Sequence, residues 1–335
     1  MKARILIYCL VLAVAAGSAV YAGPFQKELV AANAVWVAHL DVERLIAADV
    51  GRYLLAETAK GRMADQVAAF QGVFILDVRR EVTGISMFAT DRDPDQSVAV
   101  ANGTFDVQRL TALVRTKDSY KEYSHGSRLI QSWVEQPRTA AGKSPPRRFY
   151  ACFVRKSAIL FAPTLPAARE GVDVLDARKA TLPESSYLFE TVSGPAPSVF
   201  LTAAGDMAII LAAQGNAASP ASKIRRFRFT MSETDGCVNG QADMACTSAE
   251  SAQQVRLFIY ALIGGAMLRT DSQPELAKFA RSIKVSTHGA RATLSFRYPV
   301  MDFIILLKKT PPEAILDPLS LQSAPSLPRI PWLNK

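Results

Sequence analysis

The sequence predicts an α+β fold of two lobes, each an antiparallel sheet covered by helices. Three pairs of strand-like segments are joined by short turns, which antiparallel strands allow and parallel strands do not. Helical periodicity begins within a few residues of the end of each pair. With 335 residues, the chain is long enough to bury two cores.

The first half opens with a predicted strand over residues 34–40 and a helix over 42–56, for which Asp41 is the expected N-cap. It closes with a hairpin over 148–162 and a helix over 165–175. Between them the pattern predicts, in order, a helix at 63–70, strands at 85–89 and 97–101, a helix at 107–114 and a strand at 128–134.

The second half repeats this order of elements without repeating the residues. It opens with a strand over 198–203 and a helix from Asp206 to Ala212, and it closes with a hairpin and a helix over 283–308. A hairpin at 225–247 and helices at 249–268 and 274–280 lie between them. The predicted organisation is therefore a segment over 1–22, a first lobe over 23–185, a second lobe over 186–309, and a proline-rich tail over 310–335.

Residues 1–22 have the three-part pattern of a secretory signal peptide. Two cationic residues precede an apolar run over residues 5–16, and Val20 and Ala22 are the small residues expected before a cleavage at Gly23. The run is too short to span a bilayer, which takes roughly 20 apolar residues. The sequence therefore predicts a periplasmic or secreted protein.

The charge and hydropathy of the chain exclude two classes of partner. Removal of Lys2 and Arg4 with the signal segment lowers the formal charge from +9 to +7, and the remaining charges are spread out. Nucleic-acid binding is therefore not expected. The most apolar later stretch, Leu257–Leu268, is too short for a membrane span, so no transmembrane segment is expected after cleavage.

No residue pattern indicates a catalytic centre, a cofactor or a metal ion. The chain has no closely spaced Cys or His pair typical of zinc sites and no nucleophile elbow. Cys237 and Cys246 are predicted to lie on one strand at an odd offset, which directs them to opposite faces and excludes a disulfide between them. We therefore predict no catalytic residues, no cofactor and no metal ligands.

A family resemblance is carried by the stretches Trp36–Leu45, Asp77–Ile85, Tyr123–Gly126 with Ile130–Trp133, and Ala167–Arg169 with Val172–Asp176. Through these stretches the chain resembles a group of uncharacterised exported bacterial proteins over most of residues 34–310. The resemblance implies a protein of the cell envelope. The family has no assigned activity, so the resemblance transfers no site residues, and the C-terminal tail lies outside it.

One basic strand is the candidate binding surface. Alternation along a strand places Arg226 and Arg228 on one face and Phe227 and Phe229 on the other. The phenylalanines are expected to face the core, so the arginines face solvent or an anionic partner such as a lipid headgroup or an acidic glycan. An ordinary solvated sheet face, paired with acids on a neighbouring element, is the alternative.

These observations favour an exported, non-enzymatic protein that binds or scaffolds a component of the cell envelope. Arg226 and Arg228 are the candidate surface for an anionic ligand. The alternative is a hydrolase with a site at the cleft between the lobes, where ligand sites often lie. That alternative requires a deep cleft with converging carboxylates, or a contact of histidine with serine or cysteine.

Overall fold

The computed structural model describes residues 23, 25–57, 78–91, 93, 96–135, 138–139, 142–143, 146–206, 220–268 and 273–309. Four expectations lie outside these residues: the signal segment over 1–22, the helix at 63–70, the helix after Asp206, and the tail over 310–335.

Strands and helices follow one another closely in the described part of the chain. The strands are β1 Trp36–Asp41, β2 Val82–Ala89, β3 Ser97–Gly103, β4 Lys121–His125, β5 Arg128–Glu135, β6 Arg138–Thr139, β7 Gly142–Lys143, β8 Arg147–Arg155, β9 Ala158–Ala162, β10 Val199–Asp206, β11 Ile224–Thr234, β12 Cys237–Cys246, β13 Ile283–His288 and β14 Arg291–Pro299. The helices are α1 Val42–Ala47, α2 Asp49–Glu57, α3 Val78–Glu81, α4 Val107–Arg115, α5 Leu165–Leu175, α6 Tyr187–Val192, α7 Ala249–Met267, α8 Pro274–Ser282 and α9 Val300–Lys309.

Twelve of the described strands form one antiparallel sheet, in the order β13-β14-β12-β11-β10-β1-β2-β3-β9-β8-β5-β4. The prediction of an α+β fold with antiparallel sheets is confirmed. The strands of the two predicted lobes meet at the ladder between β1 and β10, where Trp36 lies opposite Gly205 and Leu40 opposite Leu201. The sheet is therefore continuous across the predicted boundary.

The internal repeat is visible in the strand order. Each half begins at the centre of the sheet with three adjacent strands, β1-β2-β3 in the first half and β10-β11-β12 in the second. Each half then adds a late hairpin with its second strand innermost, β9-β8 in the first half and β14-β13 in the second. The first half adds the hairpin of β4 and β5 at its edge.

The two faces of the sheet are covered differently. The first face packs against α1, α2, α4, α8 and α9 through a cluster that includes Leu45, Leu110 and Phe303. Helix α7 covers the end of this face near Met244. The second face packs against α5, α6 and the segment over residues 25–34. These elements cover only the strands of the first half and β10. Among the described residues, no helix covers the second face of β11, β12, β14 and β13, which we call the open face.

The helix expected over 42–56 is two helices, α1 and α2, with a break at the extended residue Ala48. Asp41 caps α1 as expected, since its carboxylate accepts a hydrogen bond from the amide of Arg44. The carboxylate of Glu233 on β11 accepts hydrogen bonds from the amides of Asp49 and Val50, at 2.7 and 2.9 Å. This cap pairs two amide groups at the start of α2 that have no partner within the helix. Because the capping residue is far away in the chain, the local pattern did not predict the break.

Candidate functional site

The structure places the two predicted arginines on the open face. Phe227 on the same strand packs against the first-face cluster near Met244, so Arg226 and Arg228 point the other way. Arg226 is exposed and Arg228 is partly exposed. The alternation read from the sequence thus describes β11 correctly.

A third arginine, Arg291, joins the pair through the strand register. Arg226 lies opposite Ala245 on β12, and Ala245 lies opposite Arg291 on β14. Residues that are opposite one another in adjacent strands share a face of the sheet, so Arg291 also belongs to the open face. We call Arg226, Arg228 and Arg291 the arginine cluster.

Tyr187, the first residue of α6, stands at the border of the open face and organises this cluster. Its hydroxyl donates a hydrogen bond to the carbonyl of Phe227 at 2.8 Å, which ties α6 to β11. The guanidinium of Arg226 lies over its ring, 5.0 Å from the centroid. Burial raises the pKa of Tyr187, and the charges of all three clustered arginines oppose this rise. All three cations therefore act electrostatically on Tyr187, and Arg226 stacks on its ring.

Two acids lie beside the cluster. Asp206 lies opposite Arg226 in the ladder, and Asp243 lies opposite Arg228. Among the described residues, no ion pair joins Asp243 to a clustered arginine. Asp243 instead accepts hydrogen bonds from Gln241 at 2.9 Å and Thr293 at 3.0 Å. With three guanidinium groups beside two carboxylates, the arginine cluster keeps a local excess of positive charge.

A second set of polar side chains surrounds a cavity of about 100 Å³ near the β1–β10 ladder. The cavity is lined in part by Phe25, His39, Asp41, Arg44 and Thr202. Its charges are satisfied internally. Arg44 pairs with Asp41 at 3.0 Å and donates a hydrogen bond to the carbonyl of Val199 at 3.2 Å. The hydroxyl of Thr202 is buried without a partner. The cavity is large enough for a few water molecules, since each occupies roughly 30 Å³ in the liquid.

His39 provides the contact with a serine that a hydrolase needs, but in a buried setting. Its Nε2 is 3.0 Å from the carbonyl oxygen of Gly23, and its Nδ1 is 3.0 Å from the hydroxyl of Ser86. The carbonyl can only accept, so Nε2 carries the proton and Nδ1 accepts from the serine. Burial lowers the pKa of His39 to about 4. Ser86 is 0% exposed, so no substrate can reach its oxygen, and the contact is structural.

The remaining sequence predictions concern cysteines, metals and membrane spans. Cys237 and Cys246 are the two ends of β12, and Cys152, Cys237 and Cys246 are free thiols. In the described ranges, no group of three or more His, Cys, Asp or Glu side chains could hold a metal ion. None of the helices described is both long enough and apolar enough to cross a membrane.

Comparison with solved structures finds the protein TP0453. Its crystal form III gives a TM-score of 0.46 at 8% sequence identity, over 85% of this chain and 97% of that chain. Crystal form I gives a TM-score of 0.44 with the same identity and coverage. No protein-family model matches the chain, and the search of curated proteins finds no match. This distant likeness carries no argument about function.

Sequence reasoning found two members of the site and missed two. Arg226 and Arg228 are close in sequence, and the alternation of side chains along β11 identifies them. Arg291 is far away in the chain, and only the pairing of β12 with β14 brings it close. Tyr187 lies just after the predicted boundary between residues 185 and 186, where the prolines and the glycine nearby concealed the six-residue helix α6. The hydroxyl of Ser186 caps that helix, which was the one local signal available.

Proposed function

We propose that the chain is an exported protein of the cell envelope that binds an anionic component through the arginine cluster and catalyses no reaction. The observation that carries the proposal is the placement of three arginines on one part of the open face, where Arg226 stacks on Tyr187 at the border of that face. A guanidinium pairs with carboxylate or phosphate through two parallel hydrogen bonds. The stacking on Tyr187 orders Arg226 in advance, which reduces the entropy lost on binding.

Export is proposed from the signal pattern of residues 1–22, and the contacts of Gly23 are compatible with the predicted cleavage before this residue. Gly23 is buried, and a Cβ added to it would lie 2.8 Å from the carbonyl of Thr83. Its own carbonyl accepts the hydrogen bond of His39. Cleavage before Gly23 would keep this contact in the mature chain. N-terminal sequencing of the protein recovered from the periplasm or the medium should begin at Gly23, and a chain that begins at Met1 would contradict the proposal.

The binding proposal predicts that Arg226→Gln with Arg228→Gln weakens binding to polyanions. The loss should be roughly tenfold at low salt, because two exposed charge contacts of about 0.7 kcal/mol each are removed. Binding is measured on immobilised polygalacturonate and on vesicles that contain an anionic phospholipid. Wild-type binding should also weaken as salt is added.

The matched control removes two cations from the first half, Lys121→Gln on β4 and Lys156→Gln at the turn between β8 and β9, both exposed. This control has the same net charge as the arginine variant and should bind as the wild type does. Equal losses in the two variants would show a diffuse charge effect and contradict the proposal. So would a wild-type protein that binds neither probe.

A further inference from the structure

The open face is an extended platform and not a pocket. Adjacent strands lie about 4.8 Å apart, so the distance from β11 across β12 and β14 to β13 is about 14 Å. Along β11 the outward side chains run from Arg226 to Ser232, about 20 Å at 3.3 Å per residue. A ligand that used the whole platform would be elongated or polymeric.

The centre of the platform carries hydroxyl and amide groups, together with the carboxylate of Asp243, which accepts hydrogen bonds from Gln241 and Thr293. Thr230 and Ser232 lie on β11, Gln241 on β12, and Ser295 on β14, in register across the sheet. Thr230 lies opposite Gln241, and Gln241 lies opposite Ser295. These side chains are at least partly exposed. Such groups exchange hydrogen bonds with hydroxyl-rich ligands.

The large apolar side chains that are exposed in the described residues lie elsewhere. They belong to α4, β5, α7 with the residue after it, and α9. A surface that inserts into a bilayer presents apolar residues beside its cations. The open face presents cations beside hydroxyl, amide and carboxylate groups instead, which favours a hydrophilic ligand over a lipid surface.

A further cation lies on the edge strand of the platform, at the opposite side from the two arginines of β11. Lys284 on β13 is opposite Ser295 and is exposed. It forms no ion pair with a described residue. Three strand spacings, about 14 Å, separate it from β11. One small anion cannot contact both Lys284 and the two arginines of β11, whereas a chain with repeated charges can.

We infer that the open face binds an acidic polysaccharide, with its anionic groups at the arginine cluster and at Lys284 and its hydroxyl groups over the Ser, Thr and Gln side chains between them. This inference rests on the proposed function and adds the class of ligand.

The test compares four probes on the full mature protein: polygalacturonate, its monosaccharide galacturonate, neutral dextran, and vesicles that contain an anionic phospholipid. The wild type should bind polygalacturonate much more tightly than the monosaccharide and should not bind dextran. Lys284→Gln should weaken binding of the polymer roughly threefold, as expected for one exposed ion pair, and leave binding of galacturonate unchanged. Thr230→Val, which keeps the shape and removes the hydroxyl, should also weaken binding of the polymer.

Each result distinguishes this inference from the proposal on which it rests. Binding to the vesicles alone would overturn the polysaccharide and leave an anion-binding cluster in place. Polymer binding that neither Lys284→Gln nor Thr230→Val changes would overturn the platform geometry. No binding of any probe would overturn both. Circular dichroism confirms that the variants are folded.

Discussion

Replacement of all three clustered arginines by glutamate should abolish binding to acidic polymers. The variant is Arg226→Glu with Arg228→Glu and Arg291→Glu. Each change removes an attraction and adds a repulsion, about 1 kcal/mol per position at exposed sites, so the affinity at low salt should fall roughly a hundredfold or more. Asp243 and Asp206 lie opposite two of these positions and would add to the repulsion.

A triple lysine variant at the same three positions distinguishes the effect of positive charge from that of the guanidinium geometry. Lysine keeps the positive charge but loses the planar fork of the guanidinium. If ligand recognition uses the fork, the triple lysine variant should bind with an affinity between those of the wild type and the glutamate variant. Loss of the contact between Arg226 and Tyr187 costs about 0.5–1 kcal/mol of folding free energy, and thermal unfolding detects it. A folded glutamate variant that binds within threefold of the wild type would contradict the role of the cluster.

The free energy of unfolding should fall by about 3 kcal/mol through His39 as the pH drops from 6.5 to 4. Burial lowers the pKa of His39 from 6.5 to about 4 in the folded protein, and each pKa unit corresponds to about 1.4 kcal/mol. Between these pH values the unfolded chain binds the proton and the folded chain does not, so acid stabilises the unfolded state. Above pH 6.5 the imidazole is neutral in both states and this penalty disappears.

The variant His39→Gln isolates this contribution. Glutamine can still donate a hydrogen bond towards Gly23 but does not titrate. Two neighbouring acids act in the opposite direction, because burial raises the pKa of Asp41, and burial with repulsion by Asp41 raises the pKa of Glu43 to about 7. The difference between the two proteins in urea unfolding at several pH values cancels these terms. A difference that does not change with pH, or a His39 pKa near 6.5 by NMR titration, would contradict the buried neutral imidazole.

The parts of the fold that depend on local pattern could be predicted from the sequence. Asp41 caps α1 as expected, because a cap involves residues within three positions, and Asp106 and Ser248 cap α4 and α7 in the same local way. The hairpin of β11 and β12 turns at Asp235 and Gly236, both with positive φ, which the sequence signals directly.

The parts that depend on long-range pairing could not be predicted in this way. The division between α1 and α2 needs the carboxylate of Glu233, which is distant in the chain. The pairing of β1 with β10 joins the strands of the two halves, and no residue pattern in either strand predicts it. At the site, alternation along β11 identified Arg226 and Arg228. Only the register of β14 and the position of α6 added Arg291 and Tyr187, which are the residues that turn an exposed charge stripe into a cluster.

The most direct test of the central claim is arginine footprinting of the mature protein, with phenylglyoxal modification read by mass spectrometry, in the presence and absence of polygalacturonate. Arg52 and Arg115 lie outside the open face, are more than half exposed, and serve as internal controls. The account predicts that the polymer protects Arg226, Arg228 and Arg291 from modification and leaves the two controls unchanged. Equal modification of the cluster with and without the polymer, under conditions in which the polymer is bound, would contradict it.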